Sequence, residues 1–270
     1  MNIPHDGVAA LMRDVGRDVL MRHFRALVTD QIVEKSPGDF VTIADNEAEA
    51  RLTEGLMRLL PGSHVVGEEA CAANPVLVRG VTCGISWIVD PLDGTGNFAS
   101  GETPFACMVA LAVEGVVEGG WILDPATGRL CHAVRGGGAF IDNERVEARG
   151  TGAALPVAAL VTRFLPAALH APVRERARGH LTEVPIPRCA GEQYPRLVLG
   201  QNDIALFWNA NPWDHAPGAL FLQEAGGRIA RLDGSPYRLG DDRTGLLAAA
   251  SSALWDQAAA ALLGEPLPPA

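Results

Sequence analysis

Apolar residues Val8, Leu11, Met12, Val15, Val19, Leu20 and Phe24 recur at helical spacing. That spacing lays one apolar stripe along a helix, so the chain opens on an amphipathic helix. A polar turn is expected around Ser36-Pro37-Gly38. A second helix is expected from about Ala44 to Leu60, with Leu52, Leu56 and Leu59 on one face and Pro61-Gly62 to stop it. His64 to Val66 reads as a short strand running into Gly67-Glu68-Glu69.

From Ile85 to about Val146 the pattern becomes strand-like. The runs Ile85 to Val89, Ala106 to Val113, Val116 to Leu123, Leu130 to Val134 and Ala139 to Ile141 are separated by Gly, Asp-Pro and Asp-Asn turns. Such punctuation suits a meandering, mostly antiparallel sheet. After about Arg149 the texture changes. Val157 to Thr162 reads as an apolar strand. Helical and strand stretches then alternate through Val184 to Arg188, Tyr194 to Leu199, Ile204 to Trp208, Asp214 to Ala225 and Leu246 to Ala250. A last helix near Leu254 to Leu263 precedes a Pro-rich tail. The alternation predicts an α/β layer after the meander, with a soft boundary between halves 1–149 and 150–270.

The 270 residues are 48% hydrophobic, ample for a large core. The formal net charge of -10 argues against non-specific nucleic-acid binding, which needs a basic patch. The 5 Cys are odd in number and none sits in a C-x-x-C. This speaks against a disulfide framework or zinc site and for a reducing compartment. No signal peptide and no bilayer-length apolar run is apparent, so a cytoplasmic protein without a membrane partner is expected.

The most informative stretch is Trp87 to Phe98, WIVDPLDGTGNF. An apolar strand is expected to stop at Asp90, with Pro91 fixing the backbone and Asp93-Gly94-Thr95 making a tight turn. Asp90 and Asp93 can then converge on one point, and the Leu92 carbonyl can face it. Carboxylate and carbonyl oxygens suit Mg²⁺, and the Gly94-Thr95-Gly96 amides can cradle an anion opposite the metal. Together they describe a phosphate site. Four further pieces carry chemistry: DFVTIAD from Asp39 to Asp45, VVGEE from Val65 to Glu69, PWDHAPG from Pro212 to Gly218 with Asp214 expected as a helix N-cap, and QEAGG from Gln223 to Gly227. Alone, a Glu-Glu pair is ordinarily solvated surface, and an Asp before a helix is ordinarily a cap. Their order and content together make coincidence improbable.

At this point the chain resembles the inositol monophosphatase-like family of Mg²⁺-dependent, lithium-sensitive phosphatases. Its superfamily also includes fructose-1,6-bisphosphatases, 3'-phosphoadenosine 5'-phosphate phosphatases and a branch of histidinol phosphatases. The motifs that carry the resemblance are Asp90 to Phe98, Trp213 to Gly218 and Glu224 to Gly227. The resemblance implies the sugar-phosphatase fold of alternating α, β, α, β and α layers, a homodimer, and hydrolysis of a small phosphate monoester with two or three Mg²⁺ ions. It implies that Glu68, Asp90, the Leu92 carbonyl, Asp93 and Asp214 hold the metals. It implies that Asp45 and Thr95 orient and deprotonate the attacking water, and that Glu68, also counted as catalytic, binds the first metal and, through water, a third. The Gly94 and Thr95 amides would hold phosphate oxygens, and Glu69 would support the site from outside. Asp93, Ala190 and Asp214 would also face the substrate.

The sequence departs from the family in two places. Gly96 stands where a second Thr is frequent. Phe207 stands where inositol-specific members carry a Glu that contacts substrate hydroxyls, so Glu192 or Arg196 is the candidate replacement. His215 follows Asp214 and could reach the site rim, but it is not expected as a metal ligand, since such sites use oxygen ligands. The enzyme alternatives differ only in substrate: histidinol phosphate, fructose 1,6-bisphosphate or a 3'-phosphonucleotide. The alternative of another class is a regulatory binding protein acting with the transcription apparatus, which would not need the retained acids.

Overall fold

The structure, a computed structural model, describes residues 3–36 and 39–263. The Pro37-Gly38 turn and the Pro-rich tail after Leu263 lie outside the described residues. The opening helix α1 (His5–Val15) runs on through a π-helical turn at Gly16–Leu20 into the short α2 (Met21–His23). A hairpin not foreseen from the pattern follows, β1 (Ile32–Ser36) and β2 (Asp39–Thr42). Then come α3 (Ile43–Leu59), β3 (His64–Gly67) and α4 (Glu68–Ala73). The meander is β4 (Ile85–Asp93), α5 (Thr95–Ala99), β5 (Ala106–Val113), β6 (Val116–Leu123), β7 (Leu130–Val134), β8 (Gly138–Ile141) and β9 (Glu144–Val146). The remainder is β10 (Val157–Leu160), α6 (Ala167–Ala177), β11 (Thr182–Val184), α7 (Ala190–Val198), β12 (Ile204–Phe207), α8 (Pro212–Glu224), β13 (Arg228–Arg231), β14 (Leu246–Ala249) and α9 (Ser252–Leu263).

Strands β3 to β9 form a seven-stranded sheet in chain order, antiparallel except for β3 beside β4. The second sheet has the order β11-β10-β12-β14-β13, parallel on the β11 side and antiparallel on the β13 side. The period-two alternation of β4 and β5 assigns their faces. Trp87, Val89, Val109 and Leu111 pack with Val8, Met12, Leu52 and Leu56 of α1 and α3. Ile88, Met108 and Ala110 point the other way, into a core shared with α7, α8 and the second sheet. Helices α6 and α9 cover the far face of that sheet through Leu169, Val173, Trp255 and Leu262. The layers are therefore α, β, α, β, α.

Helix α8 lies between the two sheets, and every residue from His215 to Leu222 is buried. An apolar stripe would not serve a helix covered on all sides, which is why this segment is apolar or small throughout. Gly218 marks the closest approach: a Cβ there would sit 2.0 Å from the Tyr194 ring of α7. The five cysteines are free, with Cys71, Cys107, Cys131 and Cys189 buried. Among the described residues no helix is long and apolar enough to cross a membrane.

Candidate active site

The Asp90 signature sits inside a strand. Expected to end at Val89, β4 continues to Asp93: Asp90 pairs with Met108 and Asp93 with Ala106 of β5, with a register shift between them. The irregularity absorbs Pro91, which has no N–H for the ladder. Asp90 Oδ1 accepts from Leu92 N at 3.0 Å. Gly94 then adopts φ +85°, with Pro104 O 3.1 Å from where a Cβ would stand, so only glycine suits the turn into α5. Thr95 Oγ1 lies 2.8 Å from Leu92 O and 3.1 Å from Asp45 Oδ1.

Asp45 is fully buried in the first turn of α3. Its Oδ2 accepts from Thr42 N at 2.7 Å and from Thr42 Oγ1 at 2.6 Å, while Thr42 Oγ1 accepts from Ala44 N and caps the helix. Burial pushes the Asp45 carboxyl up to about 7, against the Thr42 hydrogen bonds that favour its charged form. Sequence reasoning found Asp45 but not Thr42, although Thr-x-x-Asp is a capping pattern. The same helix supplies Glu49, whose carboxylate accepts from Glu69 N at 2.8 Å and Ala70 N at 2.9 Å and so orients the start of α4.

A cavity of about 440 Å³ gathers most of the expected residues: Glu68, Asp90, Leu92, Asp93, Gly94, Thr95, Ala190, Phe207, Asp214 and His215 all line it. Its acids are buried close enough to repel one another. Burial raises the Glu68 and Asp90 carboxyls well above their ordinary range, and their mutual repulsion, with Asp214 facing both, adds to it. Asp93 is raised by burial even though its Oδ2 accepts from Gly191 N at 2.6 Å. Among the described residues, no three or more His, Cys, Asp or Glu side chains close on one point as a ligand set as they stand. The donors are all oxygen, and buried carboxylates that repel one another are the groups a divalent cation relieves, so their chemistry fits a hard metal. Asp214 is not the N-cap that was expected. Asn211 occupies the cap, Pro212 opens α8, and Asp214 sits in the first turn with Asn211 Nδ2 donating to its Oδ2 at 3.2 Å. Proline at the first helical position explains the offset, because its missing N–H would be unpaired there anyway.

Two expected residues are engaged elsewhere. Glu192 does not line the cavity; its Oε1 pairs with Arg196 at 2.8 Å and its Oε2 with Arg129 at 2.5 Å. His215 is buried, with Nδ1 2.8 Å from Tyr194 Oη and Nε2 2.9 Å from Asn209 O. Burial lowers it to about 4, so it is a neutral imidazole that braces α8. Phe207 stacks on Tyr194 at 5.6 Å and meets the His215 ring edge-on at 4.8 Å. The pattern reading missed Lys35, which the hairpin brings within 3.5 Å of Glu68 and 3.1 Å of Glu69. It also missed Arg163, Phe164 and Arg188 on the cavity wall. A run of adjacent sequence would not have revealed them, because β1 and the segments after β10 and before α7 lie far apart along the chain.

An acid-lined cavity at an interrupted strand of a five-layer α/β fold suits metal-assisted chemistry on a phosphorylated substrate, and the relatives make the chain a phosphoric monoester hydrolase. The inositol monophosphatase family model matches residues 8–265. The chain belongs to the inositol monophosphatase family. It is 35% identical over 220 residues to an inositol-1-monophosphatase of Rhizobium meliloti, covering 80% of each chain. It is 35% identical over 200 residues to a histidinol-phosphatase of Mycobacterium tuberculosis, covering 72% of this chain and 75% of that one. Among solved structures, the extragenic suppressor protein suhB of Bartonella henselae superposes with a TM-score of 0.82 at 25% identity, over 96% of this chain and 98% of that one.

Proposed function

We propose that this chain hydrolyses a small phosphate monoester in a Mg²⁺-dependent reaction, with water activated by Thr95 and Asp45. The observation that carries the reading is the Thr95–Asp45 contact of 3.1 Å at the edge of a cavity lined by Glu68, Asp90, Asp93 and Asp214. Glu68, Asp90, the Leu92 carbonyl, Asp93 and Asp214 are the groups that would hold two or three ions. Bound there, Mg²⁺ neutralises the phosphate oxygens and makes water more acidic. Thr95 Oγ1 accepts a hydrogen bond from the attacking water and passes its own proton toward Asp45. Asp45, buried and hydrogen-bonded to Thr95, is placed to take that proton, and the bound cations favour its ionised form. The Gly94 and Thr95 amides hold phosphate oxygens, and Ala190 and Asp214 bound the alcohol side.

The alcohol side differs from that of an inositol-specific enzyme. Phe207 offers no acceptor, and Glu192 is occupied by two arginines. The wall is instead Phe40, Phe164, Phe207 and Trp208, suited to a ligand of lower hydroxyl density or with a ring that stacks. As part of the same proposal the protein acts in the cytoplasm as a homodimer and is inhibited by lithium. A regulatory role is supported by the likeness to relatives named Nus factor SuhB, one from Xylella fastidiosa at 29% identity over 238 residues, but leaves the buried acids without a use. The test is release of inorganic phosphate from a panel of monoesters with Mg²⁺ and with chelator. Metal-dependent turnover of at least one is expected; none across a broad panel would overturn the reading.

A further inference from the structure

Resting on the phosphatase reading, the geometry points to a substrate with a second anionic group, a carboxylate or another phosphate, read by Arg188. This residue lies between β11 and α7 and lines the active-site cavity. Its backbone holds φ +58°, a left-handed conformation that strains a non-glycine residue and that persists at ligand sites. Its Nη2 is 3.2 Å from the position a Cβ on residue 96 would take. Gly96, where the family frequently has Thr, therefore leaves room for the guanidinium beside the turn that holds the scissile phosphate.

Arg188 is exposed and has no ion pair or hydrogen bond among the described residues. That sets it apart from Arg129 and Arg196, which share Glu192 close by. The cavity thus holds, besides its acids, the guanidinium of Arg188. Two neighbours reinforce it. Arg163 lines the same wall with its guanidinium 5.1 Å over the Phe164 ring. Gln193, 1% exposed, lines the cavity with Nε2 unpartnered. A buried donor without an acceptor is costly unless a ligand supplies one. The planar arginine fork matches carboxylate and phosphate alike, and a neutral polyol offers it nothing of comparable strength.

The test uses the full chain with Mg²⁺ and two matched pairs of esters. Glycerol 2-phosphate and 2-phosphoglycerate differ by a carboxylate. Glucose 1-phosphate and glucose 1,6-bisphosphate differ by a remote phosphate, with glucose 6-phosphate measured as the product of the latter. In at least one pair the charged member should have the higher kcat/KM by about tenfold, chiefly through KM. Arg188→Gln should reduce that ratio at least fivefold, and Arg188→Lys should retain the larger part of it. The pair that responds identifies the second anion. Turnover with no preference in either pair, or an equal loss on both members in Arg188→Gln, would overturn the inference while leaving the phosphatase reading intact. Absence of turnover for all four esters and for p-nitrophenyl phosphate would overturn both.

Discussion

Asp45→Asn should slow catalysis severely and yet make the metal-free protein relatively more stable as pH rises. Wild-type Asp45 titrates near 7 in the folded protein against an ordinary 3.8, because it is buried. A carboxyl whose folded pKa is raised supports the fold while protonated. Its contribution is complete below about 4 and is lost as pH climbs through 7. With these two values, raising the pH from 5 to 8 costs the wild type about 2–3 kcal/mol at this residue alone. Asparagine cannot ionise and loses none of it. The substitution does remove acceptors from Thr42 and Thr95, for about 1–3 kcal/mol, but that loss is equal at both pH values and cancels. Buried His132 and His215, both lowered to about 4, titrate identically in the two proteins and cancel as well. The assay is urea unfolding of both proteins at pH 5 and pH 8 in chelator, since a bound cation would pull Asp45 back down. The variant should gain about 2–3 kcal/mol on the wild type between the two pH values. With Mg²⁺ restored, its kcat should fall by roughly 10²–10⁴-fold. An equal stability difference at pH 5 and pH 8 would mean that Asp45 is only a cap for α3, and would refute the argument.

Three more outcomes are expected. Asp93→Asn should lose orders of magnitude in rate while its circular dichroism stays native; a folded variant with full activity in dilute Mg²⁺ would remove Asp93 from the site. Added Mg²⁺ should raise the melting temperature over that in chelator, because cations relieve the repulsion among Glu68, Asp90 and Asp93 and binding stabilises the folded state by mass action. A midpoint unchanged across millimolar Mg²⁺ would count against a metal site. In a panel of inositol 1-phosphate, histidinol phosphate, fructose 1,6-bisphosphate and 3'-phosphoadenosine 5'-phosphate, the inositol ester should not lead in kcat/KM. A lead of tenfold or more would show that Phe207 does not set selectivity.

The local chemistry of this chain was legible because its motifs are written in consecutive residues. Asp90, Leu92, Asp93, Gly94 and Thr95 depend on one strand end and one turn, and both follow from Val-Asp-Pro-Leu-Asp-Gly. Periodicity likewise placed α3, β5, β6 and β7, where one face or both faces meet a core. It failed at the π-helical turn of Gly16–Leu20 and at the β1–β2 hairpin, whose pattern is too short to show a period. It put the end of β4 too early, because proline normally stops a strand and only pairing with β5 carries this one on to Asp93.

Partnership between distant residues was decided by the tertiary structure. Glu192, read as a candidate substrate contact, is claimed by Arg129 from 63 positions earlier. His215 becomes neutral because two sheets close over α8 and leave it only Tyr194 and Asn209. Lys35 and Arg188 carry no local signature: the hairpin sets Lys35 against Glu68 and Glu69, and the β11–α7 connection sets Arg188 on the cavity wall. Sequence specifies which groups can do chemistry, since that is a property of each side chain and its neighbours along the chain. Burial, charge state and choice of partner depend on surfaces formed only when the five layers pack, and they belong to the fold.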